Sequence, residues 1–372
     1  LEQNGFEVLV GGRNAKSGQI KKAMSMTGPR YMELYEKRML ELVDMGSFYF
    51  KLDGIFGDVV NHFFETKAGR GAPVMSHLIP ADATANDPRL DDPKFDETKR
   101  YYITAATERL MMIFDRIHTK NPEVRIMCHN GATISPWWLM HVDVLSMVNM
   151  QDGASGTNRT EQLCYRDGLY HQMTAGDKLQ VPLSSFFNHE PAKNGTRFGD
   201  ATPEAFRDYF FMALSRGSAS IEFYFVVKDL KPGDFDAVAD GIKWLDHVAP
   251  AFTRARMHGG SPIGAVEGKP NFKKIDIATA AEVYGYTGWT PSLGYVSIHN
   301  PSAKAQTYSF RLDRAFGLML NSGPFKVSYA HGRDRGLKQT WSYGETVTLE
   351  LQPREILILN FDAMTTAGET KK

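Results

Sequence analysis

Cysteine is scarce in this sequence. Cys128 and Cys164 are the only two in 372 residues, too few for a disulfide framework and spaced like no zinc pattern. Cysteine usage therefore leaves the compartment open, a secreted or periplasmic place being favoured over the cytoplasm. Net charge is also missing: 43 basic residues meet 43 acidic ones, which removes any electrostatic case for nucleic acid or an anionic membrane as the main partner. No apolar run is long enough to cross a bilayer. No His/Asp/Glu cluster has metal spacing, no phosphate loop occurs and no G-x-S-x-G elbow is found, so neither metal nor organic cofactor is expected. Residue 1 is Leu and a strand-like run starts at Phe6 with no signal peptide before it. The expectation is a piece of a longer protein, whose missing N-terminal part would be a partner of this segment.

What is present is an apolar share of 42%, normal for a chain that buries a core, and a length that suits two domains. From residue 6 to about 250, short apolar runs alternate with amphipathic stretches. The runs are 6–12, 48–54, 124–131, 144–150, 181–189 and 218–225, several of them continuously apolar, as parallel strands covered on both faces are. The amphipathic stretches are 29–45, 97–119, 160–175, 203–216 and 235–249, and Thr202 before Pro203 reads as an N-cap with proline in the first turn. This alternation predicts an α/β fold with a parallel sheet, a (β/α)8 barrel or a doubly wound sheet. A closed barrel needs eight strands. Six are visible, so two are missed or precede residue 1, and the abrupt start favours the latter.

The segment 55–96 breaks the rhythm. It follows directly on Asp53-Gly54 and is long enough to be a functional loop over the C-terminal rim. After about residue 265, runs such as 282–286, 294–299, 306–312, 346–351 and 355–360 alternate apolar with polar between turn residues, which predicts an antiparallel β-sandwich. The expected domains are a barrel over 1–262, a sandwich over 263–363 and a polar tail over 364–372.

Chemistry gathers where apolar strands end. In Lys51-Leu-Asp53-Gly54, period two puts Lys51 and Asp53 on one side of a strand. An ammonium beside Asp53 would keep it ionised, which suits a nucleophile; a structural ion pair at a barrel rim is an equal reading. Asp152, in Met147-Val-Asn-Met-Gln-Asp152-Gly153, ends another strand and is the candidate proton donor. Asp143 lies near that strand's start and reads as structural. Glu161 reads as a helix opener. Glu222, inside Ser220-Ile-Glu222-Phe-Tyr-Phe225, could line a pocket from the final strand. Cys128-His-Asn130-Gly131 offers small and polar groups, or merely a turn. Trp137 beside Trp138 could form an apolar wall against a sugar or be packing. His189, Arg166 and Asp58 are weaker candidates.

These motifs resemble those of the α-galactosidase and α-glucosidase superfamily of retaining glycoside hydrolases, an α-galactosidase-like clan. Phe50-Lys51-Leu-Asp53-Gly54 is similar to its K-x-D signature, and Pro29-Arg-Tyr-Met-Glu-Leu-Tyr35 to the segment before that strand. The next strand ends in a cysteine and glycine, and the one after in aspartate. The resemblance implies a barrel with the nucleophile on its fourth strand, Cys128 on its fifth and the acid/base on its sixth, followed by a β-sandwich. Residues 6–12 would then be the third strand, with the first two absent, and the segment alone would be unstable or inactive. By the same resemblance Asp53 is the nucleophile, Asp152 the acid/base, Lys51 a ligand of sugar hydroxyls and Cys128 a residue against the sugar. The partner is an α-linked oligosaccharide or glycoconjugate. Two departures leave the sugar unspecified: His129-Asn-Gly-Ala replaces a Gly-rich run, and Asn149-Met-Gln precedes Asp152. The rival readings are an α-N-acetylgalactosaminide-acting or transglycosylating relative, a non-catalytic sugar-binding descendant, and a Schiff-base lyase using Lys51.

Overall fold

A computed structural model describes residues 8–13, 20–24, 29–53, 74–75, 93, 96–129, 137–145, 156–174, 178, 182–188, 190–193, 202–266, 271–320 and 322–364. The chain divides into two units, Leu1–Val148 and Asn149–Lys372.

In chain order the first unit has β1 (Val8–Arg13), β2 (Ile20–Met24), α1 (Pro29–Asp44), β3 (Tyr49–Asp53), β4 (Val74–Met75), α2 (Asp96–Lys120), β5 (Arg125–His129) and β6 (Val144–Leu145). Strands β3, β5 and β6 form a parallel sheet in that order. Parallel neighbours need a long crossover, and α2 supplies it between β3 and β5. Its residues Ala106, Leu110, Ile113, Phe114 and Ile117 recur at helical spacing and are fully buried. Helix α1 opens on Pro29, where a missing N–H is harmless, and buries Met32, Met39 and Val43. It stops before Gly46, whose φ of +94° favours glycine and closes the last turn through Gly46 N to Val43 O. Both helices pack on one cluster with Phe50, Ile126, Cys128 and Leu145 of the sheet.

The first strand departs from expectation. Residues 6–12 were expected to lie parallel in a barrel, but β1 pairs antiparallel with β2 and with β4. The lysines of Ile20-Lys-Lys-Ala-Met24 conceal a strand close in sequence. A nearby antiparallel partner costs less closure entropy than a distant parallel one.

The second unit has α3 (Arg159–Thr174), β7 (Phe187–Asn188), β8 (Ala192–Lys193), α4 (Pro203–Leu214), β9 (Ser220–Ile221), β10 (Tyr224–Phe225) and α5 (Pro232–Val248). Strands β7 and β9 are parallel, as are β8 and β10. Thr202 caps α4 as expected, its side chain accepting from Ala205 N at 3.2 Å. Phe206, Tyr209, Phe210, Phe211, Met212, Ala213 and Leu214 of α4 are all buried, the mark of a helix covered all round.

The antiparallel strands that follow are β11 (Arg256–Gly259), β12 (Tyr284–Trp289), β13 (Leu293–His299), β14 (Gln306–Arg311), β15 (Phe325–His331), β16 (Thr340–Trp341), β17 (Thr346–Leu351) and β18 (Ile356–Ala363). Six form one sheet, in the order β11-β12-β13-β18-β15-β16, and β14 pairs with β17. The expected sandwich is present, with Val296, Ile298, Phe310, Val347, Leu349, Leu357 and Phe361 in one core. Its first strand begins at Arg256, so the sheet starts before the expected boundary at 263. Arg256-Met-His-Gly259 is too short and polar to read as a strand, yet pairs along its whole length with β12. Strand β12 is buried on both faces: Trp289 joins the sandwich core, whereas Tyr284 and Tyr286 reach Asp167 on α3.

Two histidines in this sheet are held neutral. His258 lies between Tyr308 Oη (2.8 Å) and Ser297 O (3.0 Å), and burial pushes it down to about 4. His299 meets Tyr284 Oη at 3.0 Å, and burial, with Arg354 adding to it, pushes it down to about 3. Both values lie below the ordinary 6.5, so the unfolded chain binds protons that the folded one refuses. Their contribution is therefore complete above pH 6.5 and is lost as pH falls toward 4 and 3. The expected slope is about 1.4 kcal/mol per pH unit for each histidine. Urea unfolding of the protein at pH 7, 6 and 5 should show stability falling, and His299→Gln should flatten the fall; a flat wild-type profile over this range contradicts the assignment.

Candidate active site

The alternation of β3 decides what each residue meets. Phe50 and Leu52 pack with the helix-side cluster, so Lys51 stands on the other face, where it is exposed. Position 53 ends the strand in the Lys51 register. On β5 the same rule holds. Ile126 and Cys128 belong to the helix-side cluster, while Met127, paired with Lys51, is buried outside it. Asp53 pairs with His129.

This register moves one expectation. Cys128 is 1% exposed, and burial raises its thiol to about 12. It lies among the residues that face α1, close enough to Tyr35 to influence its ionisation. A sugar approaching Lys51 would thus not meet Cys128. The residue paired with Asp53 is His129, which sequence reading passed over; counting two residues on from Met127, the partner of Lys51, would have found it.

Trp137 is 50% exposed, while Trp138 packs in the helix-side cluster. The turn they start runs into Asp143, whose Oδ2 accepts from Ile126 N at 2.8 Å and lies 3.3 Å from His118 Nε2. That carboxylate serves the start of β5, at the opposite end from Asp53, as its structural reading requires. Asp58 and Asn130 lie outside the described residues, as do Asp152 and His189 in the second unit.

In the second unit, Asn188 faces α4, donating from Nδ2 to Ala213 O at 2.9 Å. Its register partner is Ile221. Phe223 and Phe225 contact the rings of Phe210 and, for Phe225, Phe206 on the same helix. Residues 222 and 223 join β9 to β10, and Glu222 is half-buried. Glu161 accepts from Thr157 N at 2.6 Å and Thr157 Oγ1 at 3.0 Å, just ahead of α3. That is a helix-opening role.

On the α3 side of the strands lies a buried charge cluster that no local pattern announced. Arg216 is 1% exposed. Its Nε donates to Asp167 Oδ1 at 2.7 Å, and its Nη1 donates to Asn188 Oδ1 at 3.0 Å and Glu190 Oε2 at 2.5 Å. Tyr284 and Tyr286 donate to Asp167 at 2.6 and 2.8 Å. Gln162 donates to Glu190 Oε1 at 2.8 Å, and Arg166 lies 3.4 Å from the same carboxylate. Burial pushes Asp167 above its ordinary value despite these donors. Burial would also raise Glu190, but Arg166 and Arg216 outweigh it and hold that carboxyl below its ordinary range. Among the described residues, no group of three or more His, Cys, Asp or Glu could hold a metal ion.

No family model matches the chain, and no curated protein does. Solved structures match in fold alone. A GH36 α-galactosidase from Geobacillus stearothermophilus, in complex with raffinose, aligns with TM-score 0.57 and 10% identity over 98% of this chain. An α-galactosidase from Lactobacillus brevis gives 0.55 and 11%, also over 98%. The G. stearothermophilus enzyme in complex with stachyose gives 0.56 and 12%. The chain spans about 42% of the length of the structures it matches. Its fold is α-galactosidase-like.

Arg216→Met would strand two buried carboxylates. The expected cost is about 3–5 kcal/mol in urea unfolding at pH 7, and a loss below about 1 kcal/mol would show that the cluster is not the anchor described.

Proposed function

We propose that this chain carries the catalytic core of a retaining glycoside hydrolase acting on α-galactosides, with Asp53 as nucleophile and Asp152 as acid/base. The observation that carries the reading is the position of Lys51-Leu-Asp53 at the C-terminal end of a parallel strand, in the register turned from the helices. Active-site groups of βα barrels gather at that end of their strands. The fold likeness to α-galactosidases, one of them solved in complex with raffinose and with stachyose, supports the choice of sugar chemistry. An eight-stranded βα barrel followed by the β-sandwich is part of the same reading.

In this mechanism Asp53 attacks the anomeric carbon while Asp152 gives its proton to the departing glycosidic oxygen. The resulting glycosyl–Asp53 ester is cleaved by a water that Asp152 deprotonates, and the sugar leaves with its configuration retained. Two carboxyl groups about 5–5.5 Å apart perform this sequence. Lys51, two residues before the nucleophile, keeps Asp53 anionic and donates to sugar hydroxyls. Glu222 accepts hydrogen bonds from sugar hydroxyls.

Asp53→Asn removes the attacking charge with little change of shape. Hydrolysis of p-nitrophenyl α-D-galactopyranoside should fall by about 10³-fold or more. Retention of wild-type turnover in that variant would overturn the assignment, and borohydride trapping of a carbonyl compound on Lys51 would favour a Schiff-base lyase instead.

A further inference from the structure

Glu222 is tied to the buried cluster through one neutral residue. Glu222 N donates to Asn188 O at 3.0 Å across the β7–β9 pair. The Asn188 side chain, fully buried, is fixed at both of its ends: Oδ1 accepts from Arg216 Nη1 at 3.0 Å and Nδ2 donates to Ala213 O at 2.9 Å. Behind Arg216 stands Asp167, which takes the hydroxyls of Tyr284 and Tyr286 from β12. A continuous run of hydrogen bonds thus leads from the antiparallel sheet to the backbone of Glu222.

Asparagine is specifically suited to this link. It offers an acceptor to the guanidinium and a donor to the carbonyl on one short planar group; aspartate keeps the first and loses the second, and an apolar residue loses both. Losing either leaves a buried partner unsatisfied. Because the amide carries no charge, its replacement by alanine removes none of the charges of Arg216, Asp167 and Glu190. Asn188 can therefore be probed where Arg216 cannot.

We propose that Asn188 is a positioning residue for Glu222: the Arg216–Asn188–Ala213 contacts fix the place of the Glu222 backbone just beyond the end of β9. The inference rests on the reading above, in which Glu222 meets sugar hydroxyls. Misplacing a substrate-orienting group by about 1 Å can cost as much as 10²-fold, so a lock of this kind bears on turnover without touching substrate.

The test compares Asn188→Ala, Asn188→Asp, Glu222→Gln and the Asn188→Ala/Glu222→Gln double variant in the full chain. Hydrogen exchange of the peptide containing Glu222 reports the backbone directly. Asn188→Ala should speed it about tenfold well below the melting temperature, with Asn188→Asp in between. On p-nitrophenyl α-D-galactopyranoside, Asn188→Ala should raise KM about fivefold or more with a smaller change in kcat. The double variant should lose no more than Glu222→Gln alone, because both act through one group. Unchanged exchange at Glu222, or losses that multiply in the double variant, overturns the proposal and leaves Asn188 a packing residue. If the wild-type chain neither binds nor cleaves the galactoside, the functional reading fails and the exchange measurement still decides the positioning claim. Should Asn188→Ala not fold, Asn188→Asp carries the same measurements with the same directions expected.

Discussion

Every assignment above depends on a constraint of parallel strands whose one face is sealed by helices. Side chains alternate, so each strand gives half of its residues to the helix-packed core and half to the other face. On β3 that division buries Phe50 and leaves Lys51 exposed. From β9 to β10, Phe223 and Phe225 reach the Phe210 ring of α4. Charged residues in the middle of an apolar strand are costly unless their face is reserved for something polar. That cost is why Lys51 and Glu222 stand out before any fold is known.

The buried cluster in the second unit follows a different logic. Arg216, Asp167 and Glu190 are taken out of water, and their mutual attraction must offset a large desolvation penalty. The guanidinium suits the task, since its planar fork can meet two carboxylates and an amide at once. Its partners come from α3, from β7 and the segment after it and, through two phenols on Asp167, from β12. A strand pair, a helix and the antiparallel sheet are thereby held to one charged centre, so the β-sheet is bound up with β7, whose Asn188 carbonyl accepts from Glu222 N.

Much of the fold was legible in the sequence. Among the described residues, the five long helices start and stop within a few residues of the amphipathic stretches, because 3.6-residue periodicity over 12 or more residues is a strong signal and Thr202-Pro203 marks a start unambiguously. The sandwich strands showed themselves by alternation. What stayed hidden was what depends on distant partners. Residues 20–24 look polar because of two lysines, and only pairing with β1 makes them a strand. Arg256–Gly259 is too short to carry a period. The resemblance that put Cys128 against a sugar compared residue types and not faces, and the register turns the thiol toward the helices. Arg216 and Glu190 look like ordinary surface charges because nothing local says that the chain brings them together 26 residues apart.

The central claim concerns Asp53 as the atom donor to a covalent intermediate. Incubation of the protein with a 2-deoxy-2-fluoro-α-galactosyl fluoride slows breakdown of that intermediate, and peptide mass spectrometry then locates the attached sugar. The account predicts one fluorogalactosyl group per chain, on the peptide containing Asp53. A label on any other carboxylate would contradict it.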